Sequence, residues 1–148
     1  MRYSLRHAKD ADKAWLDELR RAVYEPLFRA TWGGWDETRH QRHLAATWQK
    51  GRIQLIEVDG QPIGMIQLLE VDDCVEVGEI QILPEYQNQG LGTQLLVDVI
   101  DRAREQGRDV ILSTGLMNAG AHRLYERLGF EETERSDTHV HMRCCTRE

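Results

Sequence analysis

The 148-residue chain predicts one α/β domain, of the α+β kind, in which a mixed, mostly antiparallel sheet of about seven strands is flanked by about four helices. Three observations predict it. Between Arg52 and Leu83, three strand-like runs are divided by the turn signals Asp59-Gly60 and Asp72-Asp73, as in an antiparallel meander. From Cys74 to Thr114 a strand, a turn, an amphipathic helix and a second strand follow one another, and that crossover implies a parallel pair at the centre of the sheet. A last pair of short strands surrounds Ser136-Asp137.

Each element has its own signal. Tyr3, Leu5 and His7 alternate with Arg2, Ser4 and Arg6, a short first strand. Asp10 is a candidate cap for a helix carrying Trp15, Leu19, Ala22 and Val23 on one side, and Pro26 is expected to end it. Leu27 to Trp35 then reads as irregular. Asp36 can cap a second helix, with Leu44, Ala45 and Trp48 on its apolar face and Gly51 at its end. The meander strands are 53–58, 63–71 and 74–83. A helix begins within Gly90-Leu91-Gly92-Thr93, carries Leu91, Leu95, Leu96, Val99, Ile100 and Ala103 as one stripe, and stops at Gly107. Asp109 to Thr114 is a buried strand. Asn118 can cap a short helix with Ala121, Leu124, Tyr125 and Leu128 inward, ended by Gly129. Strands over 130–135 and 138–144 follow.

Composition narrows the function classes. Hydrophobic residues make up 41% and charged ones 30%, as in ordinary globular proteins. A net charge of −6 argues against general nucleic-acid binding, which needs a basic face. No apolar run approaches a membrane span, and Met1 to His7 lacks the apolar core of a signal peptide, so the expected location is cytoplasmic. Three cysteines, Cys74, Cys144 and Cys145, make neither a disulfide framework nor a Cys-x-x-Cys metal site. His40 with His43, and His139 with His141, share a helix face and a strand face, but a third ligand is not evident and no metal is expected.

The chemistry concentrates between Glu79 and Gln94. An apolar strand ends at Pro84, a polar turn follows, and a helix starts at the spacing Gln87-x-x-Gly90-x-Gly92. The first turn of a helix has unpaired N–H donors and partial positive charge, an anion site suited to phosphate. Glycines there let a pyrophosphate approach the backbone. No Gly-Lys-Ser/Thr triplet follows, so this is not a P-loop, and the spacing differs from Gly-x-Gly-x-x-Gly.

This stretch resembles the Gln/Arg-x-x-Gly-x-Gly/Ala signature of GNAT-type N-acetyltransferases. A second stretch, Asn118-x-x-Ala121-x-x-x-Tyr125-Glu126-x-x-Gly129-Phe130, is similar to another motif of that family, and the order of elements matches its fold from first strand to last. The resemblance implies a GNAT fold with a splayed parallel strand pair. It implies acetyl-coenzyme A as co-substrate, its pyrophosphate on Gln87, Asn88, Gln89, Gly90, Leu91, Gly92 and Thr93, and its pantetheine arm along free backbone groups of Ile82 and Leu83 and the side chain of Asn118. It implies direct acetyl transfer to a primary amine of a small molecule or peptide, and a homodimer as the family's common habit. An acyl-coenzyme A sensor or partner-binding module without catalysis is the alternative.

By the same resemblance Tyr125 protonates the departing thiolate, and a phenol near pKa 10 suits a leaving group of similar basicity. For the base there are two carboxylates, Glu76 and Glu79. Strand period puts them on opposite faces unless Gly78 marks a bulge. Register with the glutamate of histone-type members favours Glu76. Ser113 stands where ribosomal-protein alanine acetyltransferases carry a glutamate, which departs from that branch. Trp15 and Trp48 read as core, whereas Trp32 and Trp35, beside glycines in a loop, are candidates to line the acceptor pocket. The negative balance favours a cationic acceptor through steering.

Overall fold

The computed structural model describes residues 2–146. Its described residues form a seven-stranded mixed sheet in the order β1-β2-β3-β4-β5-β7-β6, with four helices. The strands are β1 (Ser4–His7), β2 (Ile53–Val58), β3 (Gln61–Val71), β4 (Cys74–Ile82), β5 (Asp109–Gly115), β6 (Glu131–Arg135) and β7 (His139–Cys144). The helices are α1 (Lys13–Trp32), α2 (Glu37–Lys50), α3 (Leu91–Glu105) and α4 (Ala119–Arg127). The chain divides into two compact units, residues 1–67 with 79–89 and residues 68–78 with 90–148. The β3–β4 hairpin contributes its base to the first and its tip to the second.

In the first unit β1 and β3 flank β2, both antiparallel to it. Asp59 and Gly60 turn the β2–β3 hairpin with φ of 52° and 77°, the positive pair that a tight two-residue hairpin needs. Leu16 and Leu19 of α1 pack with Ile53, Leu55 and Met65, and Trp15, Val23, Trp48 and Leu83 close over that core. Gln67 is buried and donates from Nε2 to the carbonyls of Thr47 (2.9 Å) and Gly51 (2.8 Å). One side-chain amide thus satisfies two carbonyls at the end of α2 and ties that helix to β3.

Two expectations about α1 fail. Asp10 lies in a single 3₁₀ turn, Asp10–Asp12, and the helix proper starts at Lys13, without a side-chain cap. Pro26 does not end the helix, which runs six residues further to Trp32. Proline removes one N–H, but Pro26 is on the exposed side, and later contacts carry the helix on: Arg29 Nε donates to Glu25 (2.8 Å), and Phe28 packs against both Tyr24 and Trp35. The stop is Gly33, whose φ of 80° closes the last turn. Asp36 caps α2 as expected, accepting from the N–H of Arg39 at 3.0 Å, but the helix buries His40 and Thr47.

In the second unit α3 buries Leu91, Leu95, Leu96, Ile100 and Ala103 and packs on β5, the stripe read from the sequence. β4 and β5 are parallel, registered from Cys74↔Asp109 to Val77↔Leu112. β7 runs antiparallel to β5 and β6. Asp109 is buried at the start of β5. It accepts from Arg143 Nε (2.8 Å) and from the N–H of Thr146 (3.1 Å), pinning the end of the described chain to the sheet.

Candidate functional site

The start of α3 has no side-chain cap. Gly90 is its N-cap, at φ 83°, and has no side chain to turn back on the helix. Gln94 N–H already bonds the Gly90 carbonyl (3.0 Å). The N–H groups of Leu91, Gly92 and Thr93 lead the helix with no cap to receive them, at the end where the helix dipole is positive. A carboxylate or hydroxyl usually stands at such a cap. Here the position is kept clear, and a Cβ on Gly90 would meet no atom of the protein within 4 Å.

In the turn leading to this helix, the exposed side chains of Gln87 and Gln89 fold back onto the chain's own carbonyls. Gln87 Nε2 donates to the Ile82 carbonyl and Gln89 Nε2 to the Glu85 carbonyl, each at 2.8 Å. Asn88 between them has a φ of 61°. The two glutamine side chains thus brace the turn. The expectation for Leu83 needs correction. Its N–H donates to the Ile63 carbonyl (2.8 Å) and its carbonyl accepts from Tyr86 (2.9 Å), so the backbone groups expected to be free at Leu83 are engaged.

Asn118 and Tyr125 belong to α4, in the second unit. Asn118 Oδ1 caps the helix by accepting from the N–H of Ala121 (3.2 Å). That leaves the two amide hydrogens of Nδ2 to donate elsewhere. Tyr125 is buried and packs on Phe130, ring centroids 5.8 Å apart. Glu76 lies in β4, half-buried, opposite Ile111.

The first unit holds a cavity of about 480 Å³ lined by residues of α1, α2 and the sheet, among them Lys13, Arg20, His43, Trp48, Met65 and Gln81. Glu79 joins it through two lining side chains. It accepts from Gln81 Nε2 at 3.3 Å and forms a short hydrogen bond with His43 Nε2. An ionised carboxylate only accepts, so His43 donates its Nε2 hydrogen and keeps Nδ1 as a proton acceptor. Gln81 and Glu79, two apart, share a strand face, so Glu79 meets the cavity wall through Gln81 and His43, whereas Asp17 lines it directly.

A second histidine is fixed deeper. His40 is 1% exposed, its Nδ1 lies 2.8 Å from Arg20 Nη1, and its Nε2 lies 2.7 Å from Asp17 Oδ1. A guanidinium can only donate, so Nδ1 is the acceptor and Nε2 carries the hydrogen bonded to Asp17. Burial pushes the Asp17 carboxyl up, but His40, Gln41 and Arg21 donate to it and together hold its pKa at about 2. A depressed folded-state pKa stabilises the fold above the ordinary carboxylate value near 4 and is lost as pH falls through about 2. Allowing for solvent screening, Asp17 is expected to contribute about 1 kcal/mol in this way. Asp17→Asn should flatten the stability–pH curve between pH ~4 and ~2 in urea titrations, and an unchanged curve would exclude that role.

Trp32 and Trp35, the tryptophans expected to line an acceptor pocket, do not line this cavity. Trp32 is 67% exposed at the end of α1, and Trp35 packs on Phe28 and His40 while its Nε1 donates to Glu37 (3.3 Å). The cavity takes Trp48 instead, with the Lys13 ammonium 4.7 Å above its ring. Sequence reasoning also missed His43 and Arg20. The i, i+3 spacing of His40 and His43 marked the helix face, but their partners lie on other elements. Among the described residues no group of three His, Cys, Asp or Glu side chains is placed to hold a metal ion, and no helix is long and apolar enough to cross a membrane.

Comparison with known proteins agrees with this anatomy. The chain is 29% identical over 124 residues to an uncharacterized N-acetyltransferase of Methanocaldococcus jannaschii, covering 73% of this chain and 55% of that protein. It is 34% identical over 82 residues to the aminoalkylphosphonate N-acetyltransferase of Salmonella typhimurium, covering 51% and 53%. The chain thus spans about half the length of these relatives. The crystal structure of PaiA N-acetyltransferase from Thermoplasma acidophilum, in complex with coenzyme A, superimposes with a TM-score of 0.75 at 17% identity, covering 98% of this chain and 99% of that one, a likeness of fold. The pattern of the acetyltransferase (GNAT) family matches residues 13–130, most of the chain, and the protein belongs to that family.

Proposed function

We propose that the protein transfers an acetyl group from acetyl-coenzyme A to a primary amine by direct attack. The uncapped start of α3 carries this reading: Leu91, Gly92 and Thr93 present three main-chain donors where Gly90 leaves room for a diphosphate. Ile82, Gln87, Asn88, Gln89 and Leu83 belong to the strand end and turn that lead into this helix, and Asn118 Nδ2 is a donor for an amide carbonyl of the pantetheine arm. The known relatives named above, one of them bound to coenzyme A, support the same chemistry.

In this reading the amine enters the cavity of the first unit and gives its proton to His43 Nδ1. Glu79 orients that ring and stabilises the imidazolium that forms. The amine nitrogen then bonds to the thioester carbonyl carbon, the carbon–sulfur bond breaks, Tyr125 supplies a proton to the thiolate, and the proton still in excess on the new amide nitrogen restores the Tyr125 phenol by way of solvent. Glu76, the base favoured by register, gives way to Glu79 because Glu79 is the one hydrogen-bonded to a residue of the cavity wall. Trp48 is proposed in the acceptor-lining role expected of Trp32 and Trp35.

Calorimetry with coenzyme A at neutral pH tests the cofactor half, and absence of saturable heat would overturn it. Gly90→Ala should weaken coenzyme A about tenfold, because a Cβ enters the space left for the diphosphate. The strain of φ 83° should cost only about 1 kcal/mol of stability. A thiol-release assay over an amine panel tests the transfer. Coenzyme A binding with no turnover on any amine would identify a sensor instead.

A further inference from the structure

Arg20 is 7% exposed, lines the cavity, and has no carboxylate within ion-pair distance among the described residues. Its Nη1 hydrogen bond goes to a neutral ring, His40, and its Nε has no partner at all. The faces of Tyr24 and Trp35, 5.2 and 5.8 Å from Cζ, hold the guanidinium in place. Cation–π contacts recover only about 0.5–2 kcal/mol, short of what a buried charge loses on leaving water. A second cation, the Lys13 ammonium, lines the same cavity. Asp17, the acidic lining residue, is already engaged by Arg21, His40 and Gln41. The remaining carboxylate, Glu79, is bonded to His43 and Gln81 and acts on Arg20 only through space.

We propose that Arg20 is the anion-binding group of the acceptor pocket, and that the acceptor carries an acidic group, carboxylate or phosphonate, a short chain away from its amine. The inference rests on the acetyl-transfer reading for the identity of the amine end, which Glu79 and His43 receive. A planar guanidinium matches the paired oxygens of either acid, and this one lacks a carboxylate partner. His40 and Asp17 set its orientation through the Arg20–His40–Asp17 chain of hydrogen bonds. The acceptor class is therefore zwitterionic, although the net charge of −6 taken alone favours a plain cation.

Matched probes test this at neutral pH in the presence of saturating coenzyme A, by calorimetry: leucine against 3-methylbutylamine, and 1-aminoethylphosphonate against ethylamine. The acid member of at least one pair should bind about tenfold or more tightly, the size of a charge-assisted hydrogen bond, and the pair that shows it identifies carboxylate or phosphonate. Arg20→Gln should reduce that preference to within about threefold, and Arg20→Lys, which keeps charge without the fork, should retain part of it. Equal or tighter binding of the amines that lack the acid group, no binding of either acid at millimolar concentration, or a preference unchanged in Arg20→Gln would overturn the proposal. If Arg20→Gln does not fold, the wild-type ratios and Arg20→Lys decide. Acid binding without thiol release would leave the anion site standing and remove acetyl transfer. Thiol release with no acid preference would do the reverse.

Discussion

Replacing Tyr125 with Phe is expected to lower kcat about 10²–10⁴-fold, the usual range for loss of a positioned proton donor. Coenzyme A affinity should stay within about threefold, because the change deletes one hydroxyl and leaves the ring that packs on Phe130. That split matters. A tyrosine that merely fills the core would cost stability and leave turnover per folded molecule alone, whereas a donor to the thiolate costs turnover and leaves binding alone. Glu79→Gln gives the complementary result. It keeps the shape of the carboxylate but removes the charge that orients His43 and supports its imidazolium, so its deficit should shrink as pH rises and the amine deprotonates unaided. A Tyr125→Phe enzyme within about threefold of wild type in kcat would take Tyr125 out of the chemistry.

Much of the fold is legible in the sequence because its signals are local. The stripe from Leu91 to Ala103, the Asp59-Gly60 turn and the caps Asp36 and Asn118 each depend on a few neighbouring residues, and the structure has each in place. Pro26 shows the limit of local rules. A proline there argues for a helix end, yet Arg29 reaching back to Glu25 and Phe28 bridging Tyr24 and Trp35 carry α1 on to Gly33. The cavity of the first unit was the least legible part for the same reason. His43 meets Glu79 across 36 positions and His40 meets Asp17 across 23, and no periodicity encodes such a pairing. Trp15 and Trp48 pack on the core as read, and the other two tryptophans depart from expectation for a related reason. Glycines beside Trp32 and Trp35 suggested a binding loop, but the continuation of α1 carries Trp32 to solvent and Trp48 faces the cavity.

Gly64→Ala is expected to destabilise the protein by about 1–3 kcal/mol, lowering Tm by about 2–4 °C per kcal/mol. Gly64 is buried in β3, opposite Ile56 of β2. A Cβ built on it would stand 2.3 Å from the Gln81 carbonyl oxygen and 3.2 Å from both Ile82 Cα and the Ile56 Cδ1 methyl. Two of these obstacles are main chain of β4, which cannot rotate away as a side chain can. The strand must therefore shift, and the Leu83 N–H to Ile63 carbonyl bond one step along resists the shift. Gly120→Ala is the control: it lies in α4, has no atom within 4 Å of its Cβ position, and should be neutral or stabilising by about 0.5 kcal/mol. Urea titrations with matched m-values separate the two, and equal midpoints would disprove the close approach. The displaced residues also give the substitution a functional signature. Moving Gln81 moves the side chain bonded to Glu79, so turnover should fall by more than the unfolded fraction explains, even though Gly64 does not line the cavity.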